Sequence, residues 1–373
     1  MVKVAHSPQS RGLALADDLG SVSSIRQVTR GASIHHHPFF FVPAYDDRMN
    51  WLYFISEKTG SPQIFAESQS DQSVFQLTDR EDLAEWSVIP SPDGKWVYFV
   101  AGNEGWRVSP QSGAEEQMVT FETSEMRERG MTGAAMGTTA LSRSGRWWAI
   151  PVKFGAISRF VLVDTEIKKA EIIIEKDTIG HPQFCPDDED LILYAGPLTD
   201  RVWITDRSGR QNRRLYEREH DQQWITHESW WPGQRKVLMV DWPHGIKSVD
   251  VATGEVVQVT HVPAWHAAAD SLGERIVCDT NFPDIGMQLI DLKEHEISDG
   301  KLLFESNATS RGDHWAHPFP YNDGPITVYA PQHTHPHPRF SPDGERVIFT
   351  SDCTGSAHVY EIVLRKSEAK AHA

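Results

Sequence analysis

Residues 91–99 read SPDGKWVYF, and residues 341–349 repeat this segment as SPDGERVIF. Each copy begins with a turn rich in Pro, Asp and Gly and continues into β-branched and aromatic residues that favour a strand. Five weaker copies fit the same register: YDDRMNWLYF from 45, SRSGRWWAI from 142, CPDDEDLILY from 185, WPGQRKVLMV from 231 and DSLGERIVCD from 270. Seven returns of one turn-and-strand unit indicate a repeat architecture.

The spacing of the copies fits one four-stranded sheet per unit. Successive copies start 39 to 51 residues apart, except the last, which starts 71 residues after position 270. Propeller blades have this length, and the long step indicates an insertion over 282–330. We therefore predict an all-β fold, a single seven-bladed β-propeller over 21–373, preceded by a partly disordered extension over 1–20. Six or eight blades remain alternatives, as does a β-sandwich in which the turn motif recurs by chance.

The seventh copy lies close to the end of the sequence and lacks a following outer strand. Other copies have one, such as Phe75–Thr78 or Val256–Thr260. The N-terminal segment Arg26-Gln27-Val28-Thr29 resembles such a strand. We predict that it pairs with the last blade and closes the ring, because closure leaves no long free sheet edge.

Composition and charge disfavour several classes of partner. The formal net charge is −16, which argues against non-specific binding to nucleic acid and against a basic membrane-surface protein. Residues 1–20 lack the apolar run of a secretory signal, and no stretch approaches transmembrane length. Cys185, Cys278 and Cys353 are odd in number and far apart, so we expect buried or partly buried thiols in a cytoplasmic protein.

Four consecutive blades carry a histidine at one structural position. The strand before each turn is the innermost strand of its blade and lines the channel, and the residue four before each repeat start lies on it. In order, these residues are Phe41, Ser87, Thr138, His181, His227, His266 and His337. Equivalent positions on strands share a direction, so we expect the four imidazoles to converge. His335 lies two residues before His337 and would face the same way.

Imidazole clusters of this kind favour metal binding. Each histidine taken singly is more simply a hydrogen-bonded core or turn residue, but the set as a whole predicts a divalent metal site. The set contains no thiolate, which disfavours a structural zinc site. Imidazoles with an amide or carboxylate oxygen suit Mn, Fe, Ni, Co or catalytic Zn. We expect His35–His37 to be solvent-exposed in a connecting loop, although one of them could reach the channel, and His314 to be a loop residue.

Around these inner strands the chain resembles the oligogalacturonate lyase family, cytoplasmic seven-bladed propeller enzymes of pectin breakdown. The matching motifs are QxTHPHPxFxPD from 332 to 343, GHP from 180, THE from 226 with WP from 231, and PAxH from 263. The chain departs from the family over 153–159, where the family has a longer, charged and aromatic insertion, and over 282–330. The exact sugar and linkage therefore stay open.

The resemblance implies a role for each of these residues. His266, Gln332, His335 and His337 would bind Mn²⁺, with Gln332 supplied by the loop that enters the strand. His227 would be the Brønsted base or lie beside it. Arg201 would bind the substrate carboxylate or assist proton abstraction, although without the resemblance we would interpret it as a surface ion-pair residue. His181 would contact the substrate.

The implied reaction is β-elimination of a short acidic uronide oligosaccharide to a 4,5-unsaturated product. Two other classes remain open from the sequence. One is a non-catalytic binding module of the TolB or WD-repeat kind, which has no need of clustered channel histidines. The other is a metal-dependent isomerase or hydrolase acting on another sugar acid.

Overall fold

The computed structural model describes residues 3–4, 20–121, 137–281, 283–293, 296–309 and 332–365. They form seven antiparallel sheets, and the first strands of successive blades contact one another around a central channel. The prediction of an all-β, seven-bladed propeller is confirmed.

Each blade is given from its innermost to its outermost strand. The first three blades comprise His35–His36, Trp51–Ser56, Gln63–Ser68, Val74–Gln76 and Lys3–Val4; Ile89–Pro90, Val97–Ala101, Glu104–Val108 and Glu115–Thr120; and Ala140–Leu141, Trp147–Phe154, Ile157–Asp164 and Lys169–Lys176. Blades four and five comprise Gly180–Cys185, Asp188–Ala195, Val202–Asp206 and Arg213–Tyr216; and Trp224–Trp231, Lys236–Trp242, Gly245–Asp250 and Val256–Thr260. Blades six and seven comprise Ala264–Ala269, Arg275–Thr280, Met287–Asp291 and Gly300–Phe304; and Arg339–Phe340, Arg346–Ser351, His358–Leu364 and Val22–Gln27. Two 3₁₀ helices, Glu85–Ser87 and Gln332–Thr334, precede the innermost strands of blades two and seven.

The repeated motif forms the turn between the first and second strands of a blade. In blade two the Ser91 hydroxyl donates to Asp93 Oδ1 over 2.8 Å and accepts from the Trp96 backbone N–H over 3.0 Å. Gly94 has a φ of 70°, a left-handed conformation in which a glycine is favoured. In blade seven Ser341 repeats the first contact with Asp343. The motif therefore recurs because one turn needs a hydroxyl, a carboxylate and a glycine at fixed offsets.

The hydrophobic core is divided into clusters that lie between neighbouring blades. Val97–Ala101, the second strand of blade two, is buried on both of its faces. One face packs against blade one with residues such as Tyr53, and the other packs against blade three with residues such as Trp148. Each blade thus buries both faces only when its neighbours are in place, which makes the ring cooperative.

The N-terminal strand closes the ring, although its bounds differ from the predicted ones. The strand is Val22–Gln27, and it pairs with His358–Leu364 with Ile25 opposite Ile362. Val28 and Thr29 lie beyond it but continue its contacts, because the Val28 N–H donates to the Val359 carbonyl over 2.8 Å. The strand pairing ends at Gln27, whereas the residue pattern predicted a strand that runs to Thr29. Of the predicted extension over 1–20, only residues 3–4 and 20 are described, so the disorder predicted there is not tested.

The three cysteines differ in how far they are buried. Cys185 and Cys278 are buried as expected, whereas Cys353 is exposed, because it lies in the turn after the second strand of blade seven.

The short segment over 153–159 forms the end of the hairpin between the second and third strands of blade three. Among the described residues, none of the helices is long and apolar enough to span a membrane.

Closure can be tested with two variants of the same strand. Ile25 is buried against the last blade, whereas Ser24 next to it is exposed. We expect Ile25→Ala to lower the free energy of unfolding by about 2–5 kcal/mol, the usual cost of a large-to-small core change. Ser24→Ala should change it little. The measurement is denaturant unfolding, and equal midpoints for the two variants would contradict closure by this strand.

Candidate metal centre

The channel histidines lie where the regular hydrogen-bonded pairing of the innermost strands is interrupted. In blade four the register jumps between Gly180 and Gln183, and in blade five between Thr226 and Ser229, so that each bulge contains a histidine. His181, His227 and His337 have left-handed φ values of 49°, 50° and 46°. Residues with a Cβ rarely adopt this conformation, and it occurs preferentially at functional sites. The bulges turn these imidazoles into the channel.

The predicted convergence of the histidines is confirmed. Ring centroids are 6.2 Å apart for His181 and His227, 4.2 Å for His227 and His266, and 4.1 Å for His266 and His337. His335 joins the group at 5.6 Å from His337. All five side chains are buried.

Three of these histidines have the geometry of a metal site. The candidate ligand atoms of His266, His335 and His337 all lie within 4.8 Å of one another. The Nε2 atoms of His266 and His337 are buried and accept no hydrogen bond from the described residues. Burial lowers the pKa of both imidazoles well below the ordinary value, so they are neutral, the form that binds metal. The residues therefore fit a divalent cation.

Asp279 orients two of these histidines, and the sequence analysis assigned it no role. Its carboxylate accepts from His266 Nδ1 over 2.8 Å, from the His266 backbone N–H over 2.7 Å and from the His337 backbone N–H over 3.2 Å. Donation from Nδ1 leaves Nε2 of His266 as the atom free for a metal. Asp279 faces the bulge of Trp265 and His266, which interrupts the pairing between Ala264 and Ala267. Asp279 is the last residue of the sixth repeat copy, and this position is the feature of the sequence that could have indicated its role.

His37 supports the same site from blade one. Its Nε2 donates to the His337 carbonyl over 2.8 Å, and its Nδ1 lies 2.7 Å from the Thr350 hydroxyl. These bonds hold the left-handed backbone of His337. The expectation that His35–His37 are solvent-exposed is wrong: all three are buried, because His35–His36 form the innermost strand of blade one.

Next to the histidine cluster lies a buried ion pair. Arg201 Nε donates to Glu228 Oε1 over 2.7 Å, and Arg201 Nη2 donates to His181 Nδ1 over 3.0 Å. Burial disfavours ionisation of Glu228, but Arg201 and His181 outweigh it and lower its pKa to about 2. Arg201 is therefore buried inside the molecule and does not form a surface ion pair. Glu228 was visible in the sequence only as part of the THE motif.

The structure gives the two remaining predicted residues different surroundings. His227 Nδ1 is buried and has no hydrogen-bond partner among the described residues. Burial and the neighbouring imidazoles of His266 and His181 lower the pKa of His227 well below its ordinary value. Gln332 is partly buried at the start of the 3₁₀ helix, where its carbonyl accepts from the His335 backbone N–H over 3.1 Å. It comes from the entering loop as expected, but its role as a ligand stays a prediction. His314 lies outside the described residues.

Three phenylalanines close the cluster on one side, a feature the sequence analysis did not identify. Phe39 lies 4.8 Å from His337 and 5.2 Å from His181 between ring centroids, and Phe40 lies 5.3 Å from His266. Phe41 lies 5.4 Å from His181. We call Phe39–Phe41 the phenylalanine plug.

Fold and site together define a β-propeller whose channel can hold a metal ion. The chain belongs to the oligogalacturonate lyase family, because the model of that family matches residues 153–368. It is 29% identical over 218 residues to the oligogalacturonate lyase of Dickeya dadantii and 28% identical over 215 residues to the oligogalacturonide lyase of Pectobacterium atrosepticum. Each match covers 54% of this chain and 54% of the relative, so the match spans about half the length of either curated protein.

Solved structures of similar fold include two propellers of this family. One is described as oligogalacturonate lyase in complex with manganese, with a TM-score of 0.79, 19% identity, and coverage of 98% of this chain and 99% of that one. The other is an oligogalacturonate lyase from Vibrio parahaemolyticus, with a TM-score of 0.74, 18% identity, and coverage of 96% and 98%. At this level of identity the likeness establishes the fold.

Removal of one imidazole tests the metal site. We expect purified His337→Ala to lose most of its bound metal, because each ligand bond carries much of the affinity of such a site. His244, an exposed histidine at the rim of blade five, provides the matched control His244→Ala. Elemental analysis of both proteins gives the answer, and stoichiometric metal in His337→Ala would show that His337 is not a ligand.

Replacement of Asp279 tests the support behind the ligands. Asp279→Asn keeps the size of the side chain but removes its negative charge and replaces one of the two acceptor oxygens by an amide group that donates. Changes of this kind typically weaken metal affinity about 10–100-fold. Competition with a chelator of known affinity measures the change. An unchanged dissociation constant would mean that the carboxylate does not act on the metal site.

Proposed function

We propose that the protein is a metal-dependent lyase that cleaves short oligogalacturonate-like uronides by β-elimination to a 4,5-unsaturated product. One observation carries the proposal: buried neutral imidazoles that can bind a metal lie beside a further neutral imidazole and a buried arginine in one channel. The family supports the substrate class. The manganese in the related solved structure supports Mn²⁺ as the metal.

The reaction must remove a carbon-bound proton next to a carboxylate, and this proton is only weakly acidic. A divalent metal, when bound, supplies positive charge that neutralises the carboxylate and stabilises the enolate-like charge of the transition state. We infer that His266, His335 and His337 hold it, with Gln332 as a further ligand. Asp279 and His37 hold the imidazoles in place.

His227 is better suited than His181 to be the base. The Arg201 guanidinium donates to His181 Nδ1, so the proton of a neutral His181 ring lies on Nε2. Neither ring nitrogen of His181 then has a free lone pair that could take a proton. His181 is then a hydrogen-bond donor towards the substrate. His227 Nδ1 accepts no such bond from the described residues, and a neutral ring with a free nitrogen can take a proton.

The proposed elimination moves one proton to His227 and breaks one carbon–oxygen bond. His227 takes the carbon-bound proton, the electron pair of that bond forms the carbon–carbon double bond, and the glycosidic carbon–oxygen bond breaks. The leaving sugar departs as an alcohol after its oxygen gains a proton from water, and His227 afterwards returns its proton to water. Arg201 lies beside His181 and positions the negatively charged substrate, while Glu228 holds the guanidinium.

Other classes are less well supported. A non-catalytic propeller does not need buried imidazole nitrogens that lack partners, because each of them costs free energy when it binds nothing. An isomerase or hydrolase would use the same ligands but give saturated products. We also propose a cytoplasmic location, which the three free cysteines support, since thiols stay reduced there.

The activity is tested by incubation of the metal-loaded protein with short oligogalacturonates. Near-ultraviolet absorbance follows the conjugated double bond that β-elimination creates, and mass analysis identifies the products. Saturated fragments would identify a hydrolase. Binding without any product would identify a binding module.

His227→Ala separates catalysis from metal binding. We expect the variant to keep its metal and its fold while its turnover falls by about 10²–10⁴-fold, the usual contribution of a general base. Kinetics and metal content are measured on the same samples. Joint loss of metal and activity would make His227 a ligand, and retention of both would place the base elsewhere.

A further inference from the structure

The channel contains a second cavity, displaced along its axis from the histidine cluster. It is lined by residues that follow the channel histidines by two or three positions on the same strands, namely Gln183, Phe184, Ser229, Trp230, Ala268, Ala269 and Arg339. Each residue of a strand advances about 3.3 Å, so this cavity lies deeper along the channel. Its volume is about 180 Å³. Blades one to three complete its wall with Phe41, Pro90 and Leu141, among others.

The phenylalanine plug separates this cavity from the candidate metal centre. Phe39 and Phe40 contact the histidines on one side, with ring centroids 4.8 Å from His337 and 5.3 Å from His266. Phe41 lines the cavity on the other side. A ligand in the cavity is therefore not in contact with the imidazoles of His266 and His337.

Most of the described cavity wall is apolar or already hydrogen-bonded to the backbone. Several lining residues are prolines, which have no backbone N–H. The polar side chains are bonded to backbone carbonyls: Gln183 Nε2 donates to Glu228 over 2.7 Å, the Thr139 hydroxyl to Ser87 over 2.7 Å, and the Ser229 hydroxyl to Ala267 over 3.2 Å. The wall is thus apolar with one charged residue, Arg339.

In the described part of the chain, the guanidinium of Arg339 has no close counter-ion. Its Nη1 donates to the Phe40 carbonyl over 3.0 Å, which uses one of its several N–H donors. No carboxylate oxygen of the described residues lies within 4.0 Å of it. Asp47 acts on Arg339 only from beyond that distance. A partly buried cation of this kind is costly unless an anion pairs with it.

We propose that this cavity binds a small organic carboxylate, with the carboxylate on the Arg339 guanidinium and the apolar body against Phe184, Trp230 and the prolines. The planar guanidinium matches a carboxylate with two parallel hydrogen bonds. A cavity of about 150 Å³ can hold benzene, so the volume of about 180 Å³ suits a ligand of the size of benzoate. This site does not depend on the proposed lyase activity.

Benzoate is the probe for a calorimetric titration of the metal-loaded protein. We expect saturable binding to the wild type and a loss of affinity of about 10–100-fold in Arg339→Gln, since hydrogen bonds to charged groups contribute about 1.5–3 kcal/mol. Arg143 is an exposed arginine whose charge, like that of Arg339, acts on Asp47. Arg143→Gln is therefore the matched control and should bind benzoate as the wild type does.

A further variant and a metal-free control keep the proposal open to contradiction if Arg339→Gln does not fold. Ala269→Leu fills the cavity and should abolish binding with Arg339 intact. Wild-type protein freed of metal with a chelator should bind benzoate as the metal-loaded protein does. The proposal is overturned if the wild type shows no saturable binding, if Arg339→Gln or Ala269→Leu binds as tightly as the wild type, or if benzoate binding depends on the metal. Tighter, Arg339-dependent binding of inorganic phosphate would overturn the carboxylate class.

Discussion

Antiparallel pairing of Val22–Gln27 with His358–Leu364 joins an early strand of the chain to the last described strand in one sheet. Arg26 reinforces this joint, because its guanidinium reaches Glu361 in blade seven and Glu67 in blade one over 3.2 and 2.8 Å. In a closed ring each blade is confined by both neighbours. The radius of the channel, and with it the distances between groups from different blades, then follows from the packing of the blades.

The candidate metal centre depends directly on that closed seam. His335 and His337 belong to the entry of blade seven, whereas His37, which holds the His337 carbonyl, comes from blade one. His37 also contacts Thr350 on the second strand of blade seven. Separation of the seam would remove these contacts and with them the support of His337.

Local strain in the channel is balanced by hydrogen bonds and by the surrounding core. Left-handed backbone at His181, His227 and His337 costs on the order of 1–3 kcal/mol for each residue. Asp279 and His37 stabilise His337 in that conformation through its backbone N–H and carbonyl. The family match over 153–368 includes the four channel histidines and Asp279, whereas His37 and the phenylalanine plug lie before it. Blade one therefore contributes parts of the site that the matched segment does not contain.

Sequence alone determined the number of blades and the convergence of the histidines. Both follow from periodicity: a turn-and-strand unit returns at regular intervals, and equivalent positions on equivalent strands point the same way. Only the tertiary structure decided which groups support the imidazoles and which groups line the channel. Asp279 faces His266 because a bulge shifts the pairing by one residue, and His37 meets His337 because closure brings together segments 300 residues apart. Among the described residues, the packing of the blades likewise leaves Arg339 without a carboxylate at ion-pair distance. Such contacts depend on register and on closure of the ring, which no local pattern of residues encodes.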